Sequence, residues 1–202
     1  MTHKNDPAIW DSFKRGDWDA YTTLYNEHFS LLNNYGYKFT RDLSLIEDSV
    51  HDLFVRLWAT RNNLGNPVSV KNYLFKSLRH ILLRKIQKKT RFSERINDDY
   101  YPFEVTYTHH LPSAMEDREL QQQVRCIIDN LPARQKEIIY LRFYEGLSYE
   151  EIADIMSISI NSTYKLLYKA LQSLQTSMGS SLLVSLLCFN LCFIRESSLA
   201  QA

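Results

Sequence analysis

The residues with the clearest chemical potential lie between Leu147 and Leu174. Ser148 and Glu151 have the spacing of a capping box, in which each side chain bonds the other residue's backbone N–H at the start of a helix. Residues 157–159 then interrupt the apolar period, and a second amphipathic segment follows at 160–174. Two short helices joined by about three residues are typical of a helix-turn-helix, whose second helix lies in the major groove of DNA.

The exposed positions near the start of that second segment carry polar and basic side chains. Amide and hydroxyl groups bond base edges, and lysine reaches phosphates or guanine. The candidate DNA ligands are Asn161, Ser162, Tyr164, Lys165, Tyr168 and Lys169. A helical hairpin that packs only for stability fits the isolated pattern almost equally well.

A run of basic residues follows position 70. Lysine and arginine recur from Lys71 to Arg91, and the first acid after them is Glu94. Such a helix neutralises DNA phosphates, while aromatic neighbours stack on unpaired bases. The candidate ligands in this run are Tyr73, Lys76, Arg79, His80, Arg84, Lys85 and Lys88. For Tyr73 a core position is an equally good interpretation, because aromatic residues at helical spacing usually pack.

The segment 44–59 combines an apolar stripe with an acidic side. Asp48 and Asp52 stand one helical turn apart and can pair with a basic partner helix, with Phe54 and Trp58 adding apolar area. A solvated acidic face is the commoner outcome for such a pattern, because exposed ion pairs are ubiquitous and weak.

The elements that position these residues are predicted to be helices throughout. The chain has 202 residues, of which 45% are hydrophobic, and only five Gly and five Pro interrupt it. Apolar residues recur at three- and four-residue steps over 17–39, 44–59, 69–89 and the block that begins near Met115. The period is lost over 92–114, which predicts an extended linker between two helical domains.

Several classes of protein are excluded by what the sequence lacks. It has no Gly-rich phosphate loop, no nucleophile elbow and no paired-histidine zinc motif, so we expect no enzyme, no cofactor and no metal site. Three cysteines are an odd set, which argues against both a disulfide framework and a zinc site. With no apolar secretory signal at its start, the chain is expected in the cytoplasm.

Two groups of motifs resemble the sigma-70 family of RNA polymerase sigma factors. Residues Leu131 to Ile138, Tyr149 to Ala153 and Tyr168 to Leu171 resemble region four, which reads the upstream promoter element. Residues Ile46 to Trp58 resemble the polymerase-clamp motif of region two, and residues 72–91 resemble its segment that melts and holds the downstream element. Their order, and the absence of the region found between them in larger members, indicate the extracytoplasmic-function subgroup.

The resemblance implies an all-α fold of two small domains. These are a region 2 bundle over 7–91 and a region 4 helix-turn-helix over 115–178, joined by a flexible linker over 92–114 and followed by a hydrophobic tail over 179–202.

The resemblance also implies partners, namely core RNA polymerase, promoter DNA and an anti-sigma factor. The acidic helix becomes the polymerase contact, the basic helix binds the downstream element, and the helix-turn-helix binds the upstream element. The candidate polymerase contacts are then Asp48, His51, Asp52, Phe54, Trp58 and Arg61.

The tail contains a nearly continuous apolar run over 182–194. This run is shorter than the roughly 20 residues that a spanning helix needs. We predict a hydrophobic helix that packs on the chain itself or on a partner, with contact to a membrane as the alternative.

A stand-alone helix-turn-helix regulator is the alternative for the whole chain. In such a protein the N-terminal domain would sense a ligand or dimerise. Dependence on core polymerase distinguishes the two, because a stand-alone regulator binds its site on DNA without polymerase.

Overall fold

The computed structural model describes residues 6–90, 101–105 and 126–178, which are helical apart from their connections. The helices are α1 (Asp6–Lys14), α2 (Trp18–Gly36), α3 (Leu43–Thr60), α4 (Val70–Thr90), α5 (Ala133–Ile139), α6 (Tyr149–Met156) and α7 (Ile160–Met178). A 3-10 turn, Arg61–Asn63, follows α3, and a π-helical turn, Tyr140–Tyr144, follows α5. No strand occurs within the described ranges, and the predicted all-α class is confirmed.

The predicted hydrophobic tail over 179–202 and most of the predicted linker over 92–114 lie outside the described residues. Among the helices that the structure does describe, none has both the length and the apolar composition needed to cross a membrane.

Local capping sets where several helices begin. The carboxylate of Asp17 accepts from the backbone N–H groups of the first turn of α2, and that of Asp42 accepts from Leu45 in the first turn of α3. Both groups of the predicted capping box form at α6, where Ser148 and Glu151 bond each other's backbone N–H. These bonds satisfy donors that a helix start would otherwise leave unpaired.

Helices α1 to α4 pack as a bundle around large aromatic side chains. Trp10, Phe13, Tyr35 and Phe39 are all at most 2% exposed, and the Trp10 indole N–H donates to the carbonyl of Gly65 at 3.0 Å. This bond joins α1 to the connection between α3 and α4. The apolar stripes predicted for α2 and α3 therefore face one core.

Helices α5 to α7 form the second half of the molecule. Ile138, Leu141, Ile152 and Ile155 are at most 1% exposed and build its centre. Ala153 is buried on α6, where a small side chain permits a close crossing with α7.

Residues 101–105 connect the two halves as an extended segment. Tyr101, Phe103 and Val105 are buried while the residues between them are exposed, which is the alternation of extended chain. The backbone N–H of Glu104 donates to the carbonyl of Lys38 at 2.7 Å. Through this segment, one hydrophobic core runs continuously from α1–α4 to α5–α7.

The contact between α2 and α3 depends on the absence of a side chain at Gly36. A Cβ at this position would lie 2.6 Å from Cγ2 of Ile46, which is 1% exposed and has no room to move. We expect Gly36→Ala to lower the free energy of unfolding by about 1 to 3 kcal/mol, the usual cost of overpacking a core. Urea unfolding measures it.

Gly65→Ala is the matched control, since nothing lies within 4 Å of a Cβ there. It should change the free energy of unfolding by less than about 0.5 kcal/mol. Equal effects of the two substitutions would contradict the proposed close packing.

Candidate nucleic-acid interface

The basic residues predicted on α4 divide into an open group and a covered group. Arg84 and Lys88 are exposed at its C-terminal end, and Lys85 pairs with Asp52 of α3 at 2.6 Å. These residues line an open groove of about 430 Å³ together with Arg56. This end of α4 is accessible to a nucleic-acid backbone.

The covered group faces the second half of the molecule. We call it the covered face of α4, and it comprises Lys71, Asn72, Lys76, Arg79 and His80. Asn72 and Arg79 are buried, the two lysines are half-buried, and His80 is exposed at the edge of this face. Tyr73 stands beside it, half-buried against Trp10 with the ring centroids 5.5 Å apart. Tyr73 is therefore part of the packing of α1 on α4 in this structure.

Arg79 is the centre of the covered face and is 6% exposed. Its Nε and Nη2 atoms donate to the two carboxylate oxygens of Glu137 on α5, at 2.8 and 3.1 Å. Glu137 is fully buried and also accepts from the hydroxyls of Tyr35, at 2.7 Å, and Tyr101. We call these four residues the Glu137 cluster.

The environment of the Glu137 cluster shifts the pKa values of Tyr35, Tyr101 and Arg79. The directions of the shifts keep the two phenols protonated and the guanidinium charged. Burial raises the pKa of the Tyr35 and Tyr101 phenols, and the Glu137 carboxylate raises it further. Burial alone would lower the pKa of Arg79, but the facing carboxylate outweighs burial and raises it. Both phenols therefore remain hydrogen-bond donors at neutral pH.

Further polar contacts extend along the covered face. Lys71 pairs with Glu145 at 2.7 Å, and the Asn72 amide donates to Glu151 at 2.7 Å. One turn further on, Lys76 pairs with Asp154 on α6 at 2.5 Å.

His80 ends this row of contacts, with Nε2 3.1 Å from the Ser157 hydroxyl. Burial, followed by the neighbouring cations Arg79, Lys76 and Arg84, lowers the pKa of His80.

The predicted polymerase contacts on α3 differ in how far they are buried. Asp48, His51 and Asp52 are exposed on one face of the helix. Phe54 is instead 1% exposed, with its ring 4.9 Å from that of Tyr25. It supports the face from below and offers no surface to a partner.

At the end of α3, the ring of Trp58 is covered by the guanidinium of Arg61 at 4.4 Å and contacts Trp18 edge-on at 5.0 Å. Trp18 is 60% exposed, although it falls within the apolar period predicted over 17–39. Its position at the first residue of the helix, directly after the Asp17 cap, is the signal that could have identified it as exposed.

The six residues predicted on the recognition helix are all exposed on α7. Ser159 bonds the backbone N–H of Ser162 at 3.1 Å and so caps the start of the helix. Tyr164 stacks on Tyr149 of α6, with the ring centroids 4.1 Å apart. An open groove of about 460 Å³ between α5 and α7 adds Arg134 to Lys165 and Lys169.

The turn between α6 and α7 depends on Ser157, whose φ of 55° is left-handed. Its backbone N–H bonds back to the carbonyls of the last turn of α6, which ends that helix. The turn thus orients α7 so that its polar face remains in solvent. The geometry is that of a helix-turn-helix with an uncovered second helix.

Comparison with known proteins agrees with this architecture. Residues 24–92 match the family model described as sigma-70 region 2, and residues 121–174 match that described as sigma-70, region 4. The chain is 29% identical to the RNA polymerase sigma factor SigV of Bacillus subtilis over 125 residues, which cover 62% of this chain and 70% of SigV. It is 24% identical to the ECF RNA polymerase sigma factor SigM of the same organism, with coverage of 74% and 91%.

A solved structure with a similar fold is that of the sigma factor RpoE in complex with the anti-sigma factor NepR from Bartonella quintana. The TM-score is 0.53 at 21% identity, covering 78% of this chain and 96% of RpoE. At this identity the likeness concerns the fold.

The raised pKa of the buried phenols predicts how stability depends on alkaline pH. Above about pH 10, an unfolded chain releases phenol protons that the folded chain keeps, so stability falls as pH rises. Tyr35→Phe removes one such proton, and we expect it to reduce this fall between about pH 9 and about pH 11. Urea midpoints at the two pH values measure it.

The comparison at the lower pH isolates the cost of losing the Tyr35 hydrogen bond, because the phenol is protonated in both states there. An alkaline loss of stability as large in Tyr35→Phe as in the wild type would contradict the proposed environment of Tyr35.

Proposed function

The chain belongs to the sigma-70 family of RNA polymerase sigma factors, in the extracytoplasmic-function subgroup, and we propose how its surfaces act in transcription initiation. As a member of this family it is a transcription initiation factor that binds core RNA polymerase and directs it to promoters. The observation that carries this function is the presence of regions 2 and 4, in that order, over 24–92 and 121–174. The alternative of a stand-alone regulator leaves the match to region 2 without an explanation.

The exposed face of α3 is proposed as the contact with core polymerase. Asp48 and Asp52 place two carboxylates on one side of the helix, with His51 between them in sequence. The ion pair of Asp52 with Lys85 is 54% exposed on the acid side, so exchanging it for a partner's cation costs little. At the end of the same helix, the guanidinium of Arg61 lies over the half-buried ring of Trp58 and offers a cation to the partner.

Helix α4 is proposed to bind the downstream promoter element. Its open end carries Arg84, Lys85 and Lys88, which suit phosphate contacts. Tyr73, Lys76, Arg79 and His80 complete the predicted set, and the last three lie on the covered face described above.

Helix α7 is proposed to read the upstream element from the major groove. Asn161 and Ser162 stand at its exposed N-terminal end, where a recognition helix meets base edges. Lys165 and Lys169 follow at one-turn spacing beside Arg134, which suits the adjoining phosphate backbone.

An anti-sigma factor is proposed as a further partner. Its support is the likeness in fold to RpoE, which was solved together with the anti-sigma factor NepR. We also propose that the chain between the two regions, 92–114, lets both bind their promoter elements while the protein spans the polymerase.

Charge reversal tests the polymerase contact. Asp52→Arg places a cation where the proposed surface presents an acid, and we expect at least a roughly tenfold loss of promoter-specific transcripts, the effect of about 1.4 kcal/mol. In vitro transcription with core polymerase and genomic DNA from the source bacterium measures it.

Glu27→Arg is the matched control, because Glu27 is an exposed acid on another helix, α2. It should leave transcript levels within about twofold of wild type. Equal losses of transcripts in both variants would contradict a specific role of the α3 face. An absence of transcripts with the wild-type protein would contradict the proposed function.

Two substitutions on α7 separate phosphate contact from base contact. Lys165→Ala should weaken promoter binding by the holoenzyme on all sequences and reduce the salt slope by about one. Asn161→Ala should instead reduce discrimination against altered upstream elements by about 1 to 3 kcal/mol.

Gln172→Ala, exposed near the other end of α7, is the control and should match wild type. Binding is measured by competition between promoter fragments at several salt concentrations. If Lys165→Ala leaves the salt slope unchanged, Lys165 does not contact a phosphate.

A further inference from the structure

The exposed side of α7 carries two rows of residues with different chemistry. Within each row the residues are three and four positions apart, so they follow one another along one side of the helix. The first, which we call the tyrosine row, consists of Asn161, Tyr164 and Tyr168. The second, which we call the lysine row, consists of Ser162, Lys165 and Lys169.

The two rows have different neighbours in the second half of the molecule. The lysine row lines the open groove that also contains Arg134. The tyrosine row meets α6 instead, because the ring of Tyr164 stacks on that of Tyr149 with centroids 4.1 Å apart and planes inclined by 26°. A recognition helix in the major groove has phosphates beside it and base edges in front of it. The cations of the lysine row suit the phosphates, which leaves the tyrosine row to meet the bases.

The ring of Tyr164 is held in place before any DNA binds. The guanidinium of Arg142 lies over the ring of Tyr149 at 5.0 Å, and its Nη1 donates to the carbonyl of Leu147 at 2.7 Å. Tyr149 is also the first residue of α6, directly after the N-cap Ser148. Because this stack fixes the ring of Tyr164, a contact with DNA costs little additional conformational entropy.

The attachment of α7 to the rest of the chain does not require this stack. Leu167, Ala170 and Leu174 are at most 4% exposed and hold α7 on the core. Tyr164 is 48% exposed and Tyr168 is 67% exposed. An aromatic ring that served only to join α6 to α7 would contribute more if it were fully buried. The open side of Tyr164 is therefore available to a ligand.

From this geometry we propose that Tyr164 contacts the C5-methyl group of a thymine in the upstream promoter element and so determines part of its sequence. The methyl group is the apolar feature that distinguishes thymine from the other bases in the major groove, and an aromatic ring contacts it well. Tyr149 is a positioning residue that acts through Tyr164. The inference rests on the proposed function of α7 and names the base that the tyrosine row reads.

Removal of single methyl groups from the DNA tests the contact. In a promoter fragment from which the holoenzyme initiates, each thymine of the upstream element is replaced in turn by deoxyuridine, which lacks only the methyl group. One replacement should weaken binding of the wild-type holoenzyme about fourfold, the effect of exposing one buried methyl group. Equal binding to the parent fragment and to every deoxyuridine fragment, or an upstream element without thymine on either strand, would overturn the inference.

Substitutions in the stack identify the side chain that contacts the methyl group. Tyr164→Ala should bind the thymine and deoxyuridine fragments equally, whereas Tyr164→Phe keeps the ring and should retain the ratio of about fourfold. Tyr149→Ala should reduce this ratio, and Tyr149→Phe should restore it because a phenyl ring stacks as well. An unchanged ratio in Tyr164→Ala would overturn the inference, and an unchanged ratio in Tyr149→Ala would contradict the positioning role.

Lys165→Ala is the matched control on the lysine row. Loss of a phosphate contact weakens binding to both fragments alike, so the ratio should stay at about fourfold. A residue that only stabilised the fold would likewise lower both affinities and leave the ratio unchanged. Failure of the proposed function looks different, since the wild-type holoenzyme would then bind neither fragment better than core polymerase alone. Thermal unfolding confirms that each variant is folded.

Discussion

The ion pair between Arg79 and Glu137 joins parts of the chain that lie far apart in sequence. Both charges are buried, and a buried charge is tolerated only when it is paired and hydrogen-bonded on its remaining sides. The phenols of Tyr35 and Tyr101 meet that requirement at Glu137. Helix α2, helix α4, the connecting segment and helix α5 are therefore held in one relative arrangement.

The aromatic packing around this ion pair follows from the same requirement. The ring of Tyr35 lies 4.5 Å from that of Phe75 and 6.1 Å from that of Tyr140, so apolar rings from both halves exclude water from the charges. Exclusion of water strengthens the pairing and raises the cost of leaving it unmade. The buried polar site is therefore formed by residues of both halves.

Three surfaces that are proposed to meet different partners remain open in this structure. The acidic face of α3 and the basic end of α4 are exposed next to each other, joined by the ion pair of Asp52 with Lys85, and the polar face of α7 is exposed on the second half of the molecule. The donors in the middle of α4 have two roles. They pair with acids of the chain in this structure, and they are proposed to pair with promoter phosphates. The chemistry is the same in both cases, because guanidinium and ammonium groups bind carboxylates and phosphates alike.

The sequence by itself determined which segments are helical, which family the chain resembles, and which side of each helix is apolar or polar. Capping at Ser148, the apolar stripes and the polar start of α7 depend on neighbours within one or two turns, so they can be read from local spacing. The burial of Phe54 and the alternation over 101–105 were decided only by packing. The burial of Glu137 and Arg79 was decided in the same way, since an acid and a base 58 positions apart carry no local signal that they meet. Each of the two residues finds its partner on another helix, and only the tertiary structure brings the two helices together.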